Sequence, residues 1–247
     1  MLVENKFLFV SLPRCASFSF YISCIRHGFE INHFNQKRYD ESAHFIDLSM
    51  NNEELADHIF HVHEKSSELI DKFGNKYDII SIKRNRYERF ISVWKHTIDM
   101  VEMERLRYRY PIELVNILKK LNLDDILFFK TFDLISHESE KLVFIEFCKR
   151  NGIEKYVDDY FINMLQIAFR PTSYWHNNNP KIKYFDFGNF TELEDWVSNK
   201  TNKPFKMEKS NGSQHFECEL KLNDEFIKRY NDIYDYYDIQ KNNKTLI

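Results

Sequence analysis

The stretch Phe7-Leu8-Phe9-Val10-Ser11-Leu12-Pro13-Arg14-Cys15-Ala16-Ser17-Phe18-Ser19-Phe20 decides the fold. The short apolar run over 6–12, ended by Pro13, reads as a buried strand. From Ser17 to about Arg26 the chain is apolar on most sides, which predicts a buried helix. Strand, tight loop and helix start in this order form an anion site in waiting. The first helical turn carries N–H groups that no intrahelical carbonyl accepts, and the helix dipole adds partial positive charge. Arg14 stands in the loop, Ser17 and Ser19 supply hydroxyls, and the small residues Cys15-Ala16-Ser17 admit a ligand close to the backbone. The plainer alternative is an ordinary strand-to-helix turn capped by Ser17.

A second stretch repeats the pattern. Tyr77 to Ile82 reads as a strand rich in β-branched residues, and a helix follows from Glu88. Its buried face is marked by Phe90, Trp94, Ile98 and Val101 at helical spacing. Arg84 falls at the strand's C-terminal end, where ligands bind in open α/β sheets. Arg89, Ser92 and His96 fall on the other helix face, where a guanidinium and a hydroxyl suit a phosphate. Read without a ligand, they are a solvated basic face.

The rest of the chain fills in around these two. Ile59 to Val62 reads as a short strand, Lys65 to Phe73 as an amphipathic helix, and Ile182 to Phe187 as a third strong strand. Helices are expected at 52–57, 111–120, 124–132, 137–150, Phe190 to about Ser198, and 223–238. The last carries Phe226, Tyr230, Ile233 and Tyr237 along one side. Residues 170–180 and 200–216 read as loop, and Asn242-Asn243-Lys244 as a frayed tail. The sum is one α/β domain over 1–247: three layers, a central mostly parallel sheet flanked by helices, and a helix-rich middle.

Composition sets limits. Aromatic residues make up 16% of the 247, too many for a disordered chain. A formal net charge of -3 argues against a surface built to grip nucleic acid. No stretch approaches the roughly 20 apolar residues of a membrane span, and no secretory leader is evident, so a cytoplasmic protein is expected. Cys15, Cys24, Cys148 and Cys218 are scattered and read as small buried apolar residues, and no metal is expected. Glycine occurs only five times, a bias that fits AT-rich coding. A nucleotide-triphosphatase loop needs two glycines and a lysine, which residues 10–19 lack. Without glycine, the loop over 14–17 is expected to avoid φ > 0.

Taken together, the two stretches resemble the sulfotransferase superfamily that uses 3′-phosphoadenosine 5′-phosphosulfate. The family's first motif, Pro-Lys/Arg-small-Gly/Ala-Ser/Thr-x-Ser, stands as Pro13-Arg14-Cys15-Ala16-Ser17-Phe18-Ser19. Its second, Arg-Asp/Asn-Pro-aromatic-Glu/Asp-Arg-x-x-Ser, stands as Arg84-Asn85-Arg86-Tyr87-Glu88-Arg89-Phe90-Ile91-Ser92. Weaker echoes of carbohydrate-type members follow in Pro171-Thr172-Ser173-Tyr174-Trp175, Ile182 to Phe187, Phe190-Thr191-Glu192-Leu193 and Lys209-Ser210-Asn211. Two departures stand out: Phe18 replaces a small hydroxyl residue, and Arg86 replaces the motif's proline.

The resemblance implies a P-loop-like fold and sulfuryl transfer to an acceptor hydroxyl, with carbohydrate the first guess. Adenosine 3′,5′-bisphosphate would be released. It implies that Arg14, Cys15, Ala16, Ser17, Phe18 and Ser19 hold the 5′-phosphosulfate, and that Arg84, Ser92 and Arg89 serve the 3′-phosphate. Relatives place a general base between the motifs. The chain offers His33, Glu41, His44, His58, His61, His63 and Glu64, with His63 preferred and His61 next. Tyr174, Trp175 and His176, with Asn177-Asn178-Asn179, read either as the lining of an acceptor cleft or as a surface loop. The rivals are a non-catalytic anion-binding module of the same fold, a divergent P-loop kinase, and a nucleic-acid binder using the 83–109 helix.

Overall fold

The computed structural model describes residues 1–32, 63–106, 109–123, 125–127, 146, 148–156, 171–208 and 222–244. His61, the segments expected at 52–57 and 59–62, Cys218 and Lys209-Ser210-Asn211 lie outside these residues. The chain divides into two compact units, one of Met1–Asn85 with Thr172–Gly212 and one of Arg86–Pro171 with Ser213–Ile247.

The first unit is α/β. Its strands are β1 (Leu2–Val3), β2 (Phe7–Phe9), β3 (Ile31–Asn32), β4 (Asp78–Lys83) and β5 (Ile182–Asp186), in the sheet order β3-β1-β2-β4-β5. β2 runs parallel to β4 and β4 to β5. β1 is antiparallel to both β2 and β3. The sheet is therefore mixed, not mostly parallel. The difference comes from a hairpin that carries no glycine: Glu4 and Asn5 take φ of +51° and +50°, and the Lys6 amide donates to the Val3 carbonyl at 2.9 Å. Turn chemistry of this kind normally announces itself by Asn-Gly or Asp-Gly.

Alternation along the strands builds two apolar layers. On one face Phe7, Phe9, Ile80, Ile82 and Phe185 meet α1 (Ser17–Arg26), through Phe20 and Tyr21, and the later helix Thr191–Thr201, through Leu193 and Val197. The Phe20 ring lies flat on Phe9, centroids 4.1 Å apart. On the other face Leu8, Val10, Ile79 and Ile182 meet Leu69, Ile70 and Phe73 of α2 (Ser66–Phe73). Helices on both faces give the three layers. Central strands buried on both sides explain why β2 and β4 read as nearly unbroken apolar runs.

The second unit is helical among the described residues. It holds α3 (Arg86–Leu106), α4 (Ile112–Lys120) and the C-terminal helix Asp224–Lys244, with a short 3₁₀ turn at Glu154–Tyr156. Phe90, Trp94, Ile98 and Val101 are buried against Leu114, Leu118, Phe226 and Tyr230. The C-terminal helix runs through Asn242-Asn243-Lys244, where fraying was expected; no glycine or proline stops it. Its buried line follows Phe226, Tyr230 and Tyr234.

Helices later in the chain include α5 (Thr172–His176), α6 (Thr191–Thr201) and α7 (Asp224–Lys244). α5 occupies a stretch expected to be loop. No helix among the described residues is long and apolar enough to cross a membrane. Cys15, Cys24 and Cys148 are buried, and none forms a disulfide among the described residues.

Candidate functional site

β2, β4 and β5 are parallel, so their C-terminal ends share one edge of the first unit's sheet. β2 passes into the loop that carries Arg14, β4 into Arg84, and β5 into Phe187. The Val10 amide donates to the Ile80 carbonyl at 2.9 Å, which fixes where the loop leaves the sheet.

Within the loop, Arg14 and Ala16 take φ of +62° and +55°. This corrects the expectation that a loop without glycine avoids the left-handed region. A sharp strand-to-helix reversal needs left-handed residues, and here an arginine and an alanine adopt it at a cost of about 1–2 kcal/mol each. Ala16, not Ser17, is the N-cap of α1, and no side chain caps it. Ser17 begins the helix, and its hydroxyl donates back to the Leu12 carbonyl at 3.2 Å. Cys15 is buried with Leu12 and Trp175. Phe18 packs against the α1-side core, and Ser19 is buried.

His63 lies at the same loop. Its Nδ1 is 2.8 Å from the Ser11 hydroxyl and 3.1 Å from the Ser11 carbonyl. Of the candidate bases, only His63 and Glu64 are among the described residues. Glu64 is buried, and burial raises its carboxyl above the usual range.

A second histidine sits behind the loop, and sequence reasoning misplaced it. His176 and Trp175 are 1% and 3% exposed, so neither offers a face to a sugar in a cleft. The His176 Nε2 is 3.1 Å from the Ser81 hydroxyl, which itself donates to the Val10 carbonyl at 2.7 Å. Tyr184 lies 2.8 Å from His176 Nδ1. With the Ser81 proton committed to Val10, Nε2–H is the donor to Ser81, and the Tyr184 hydroxyl is the partner of Nδ1. That makes His176 a connector of β4, β5 and the chain that leaves β2 at Val10. Ser81 and Tyr184 were not singled out in advance. The signal available was a serine in the centre of an otherwise apolar strand, which must spend its hydroxyl on a partner.

Arg84 holds its guanidinium 4.5 Å from the Phe187 ring centroid, a cation–π contact at the sheet edge. Nearby, Asp186 closes β5 and pairs with Lys83 at 3.4 Å.

In the second unit Arg89 and Ser92 are 4% and 7% exposed, so the solvated-face reading of this helix fails at both positions. Arg89 lies close enough to Tyr230 and Tyr234 to offset part of the rise that burial gives their pKa values. Arg86, where the family motif has proline, is the first residue of α3. Proline is favoured at that position because its missing N–H is not needed there. The Arg86 guanidinium binds Asn231 and lies 3.2 Å from the Tyr87 hydroxyl and 3.5 Å from Asp235. Further along α3, Arg105 is bound to Glu102 at 2.6 and 2.9 Å.

Comparison of the chain with known protein families, with curated proteins and with solved structures returns no match.

Proposed function

We propose that the protein is a sulfotransferase that takes its sulfuryl group from 3′-phosphoadenosine 5′-phosphosulfate. The observation that supports this reading is the β2–α1 turn, with the His63 imidazole hydrogen-bonded to Ser11 at the point where the loop leaves the sheet. An anion at the α1 start would meet the helix dipole and Arg14. Arg84, at the end of the adjacent parallel strand, would serve the nucleotide's other phosphate.

The reaction would proceed by in-line displacement. His63 accepts the proton of the acceptor hydroxyl, whose oxygen forms a bond to sulfur. The bond from sulfur to the bridging phosphate oxygen breaks, and its electron pair leaves with adenosine 3′,5′-bisphosphate. Arg14 and the helix start offset the charge that grows on that oxygen. Carbohydrate remains the acceptor proposed, on resemblance alone.

Two measurements test the reading. Calorimetry is expected to show adenosine 3′,5′-bisphosphate binding that Arg14→Ala weakens by about tenfold or more, as for a charge-assisted contact. Transfer of labelled sulfate is expected to fall roughly 100-fold in His63→Ala, with bisphosphate affinity retained. No bisphosphate binding by the wild type removes the cofactor assignment. A second reading, an anion-binding module without catalysis, is favoured by Phe18, which packs into the core where relatives carry a hydroxyl. Bisphosphate binding without transfer to any acceptor would select it.

A further inference from the structure

Four consecutive residues, Tyr174 to Asn177, grip four of the five residues that begin at His63. The Trp175 ring meets the His63 ring edge-on, centroids 5.8 Å apart and planes at 62°. The Lys65 ammonium lies 4.4 Å from the Tyr174 ring centroid. The Ser66 hydroxyl donates to the His176 carbonyl at 2.7 Å, and the Asn177 side-chain amide donates to Ser67 at 2.5 Å. The gripping residues are themselves fixed. Trp175 is buried against Leu12 and Cys15 of the anion loop, and His176 is anchored to β4 and β5 through Ser81 and Tyr184.

We infer that Tyr174–Asn177 is a clasp that positions the His63 imidazole, so that Nδ1 keeps its hydrogen on the Ser11 carbonyl and Nε2 carries the basic lone pair. A carbonyl oxygen only accepts, so a hydrogen on Nδ1 turns the 3.1 Å approach to the Ser11 carbonyl into a bond, whereas a bare Nδ1 would be bonded by the Ser11 hydroxyl alone. The Ser11 hydroxyl at 2.8 Å offers a second acceptor to the same N–H. Fixing the tautomer through the far nitrogen is how a base histidine is made to face its substrate with a lone pair. Trp175, Ser66 and Asn177 are positioning residues in this scheme. They touch His63 or its segment, not the reacting atoms.

The catalytic meaning of the clasp rests on the sulfotransferase reading, but its geometry can be tested without it. Nitrogen-15 correlation spectra of histidine-labelled protein report which ring nitrogen carries the hydrogen, with His63→Gln identifying the His63 signals. The wild type is expected to show His63 protonated on Nδ1. Ser66→Ala and Trp175→Ala are each expected to give a mixture of tautomers, and Trp175→Phe to restore the Nδ1–H form. If Trp175→Ala does not fold, Ser66→Ala, which deletes one hydroxyl, decides alone. In turnover, misplacing the base lowers kcat by roughly 10- to 100-fold. In Ser66→Ala, bisphosphate affinity is expected to stay within about twofold, since the Ser66 hydroxyl binds the His176 carbonyl and not the anion loop. A wild-type His63 protonated on Nε2, or a tautomer unmoved by Ser66→Ala, overturns the clasp. A wild type with the expected tautomer and no sulfate transfer overturns the enzymatic reading and leaves the clasp standing.

Discussion

Glu64 follows His63 directly, yet the two side chains have opposite environments. The imidazole stands half-buried at the loop, and the carboxyl is 3% exposed, with one oxygen lacking a hydrogen-bond partner among the described residues. Desolvation is the largest influence on it and holds its folded pKa above the ordinary 4.5. Such a group favours the fold when protonated. Its contribution is fully present below pH 4.5 and is lost as pH rises through the folded pKa. Glu64→Gln is therefore expected to melt at a higher temperature than the wild type near neutral pH, with the gap closing below pH 4.5. A scan of melting temperature against pH checks this, and a gap that widens on acidification contradicts it. At this scale the sequence was informative about charge and poor about burial. His63, Arg14 and Arg84 are candidates by type and position alone. That Arg89, Ser92, Trp175 and His176 are interior could not be read this way, because burial depends on elements far away in the chain. A short helix over Thr172–His176 turns two of these four inward, and nothing in Tyr-Trp-His announces it.

The decisive element is the turn between β2 and α1. Its helix begins at Ser17 and ends at Arg26, as the apolar pattern indicates, whereas its left-handed residues were invisible without a glycine to mark them. The same blindness hid the β1–β2 hairpin. Strands of two or three residues leave too little alternation to read. Ala16→Gly offers a direct measure of the strain. Relief of the left-handed conformation gains about 1–2 kcal/mol, and the extra freedom of glycine in the unfolded chain returns about 0.5–1 kcal/mol of that. The melting temperature is expected to rise by about 2 °C. A fall would mean that the Ala16 methyl, which packs on the α1-side core, contributes more than the strain costs.

At the scale of the whole chain, the two units draw on different chemistry. The helical unit holds a row of buried phenols. Burial pushes Tyr230 up to about 12 and holds Tyr234 well above its ordinary value, while Arg89 pulls both back. Between pH 10 and about 12 only the unfolded chain sheds the Tyr230 proton, so stability falls as pH rises through that window. Tyr230→Phe has no such proton, and its melting temperature is expected to decline less steeply above pH 10. Parallel slopes for the two proteins would show that Tyr230 ionises in the fold as readily as outside it.

The sheet of the first unit is discontinuous in the chain, and this bears on how it is made. β1 to β4, α1 and α2 are complete by Lys83, but β5 and α6 arrive only after the helical segment that begins at Arg86. At the usual pace of a ribosome, on the order of 5–20 s separate the two halves. During that interval β4 has no neighbour on its outer side, because β5 is the strand that pairs there. The layer around Phe9 and Phe20 likewise waits for Phe185, Leu193 and Val197. A nascent chain stalled at that point presents an unpaired parallel edge beside an uncovered aromatic layer. Translation speed across 86–171 thus sets how long a sticky intermediate survives.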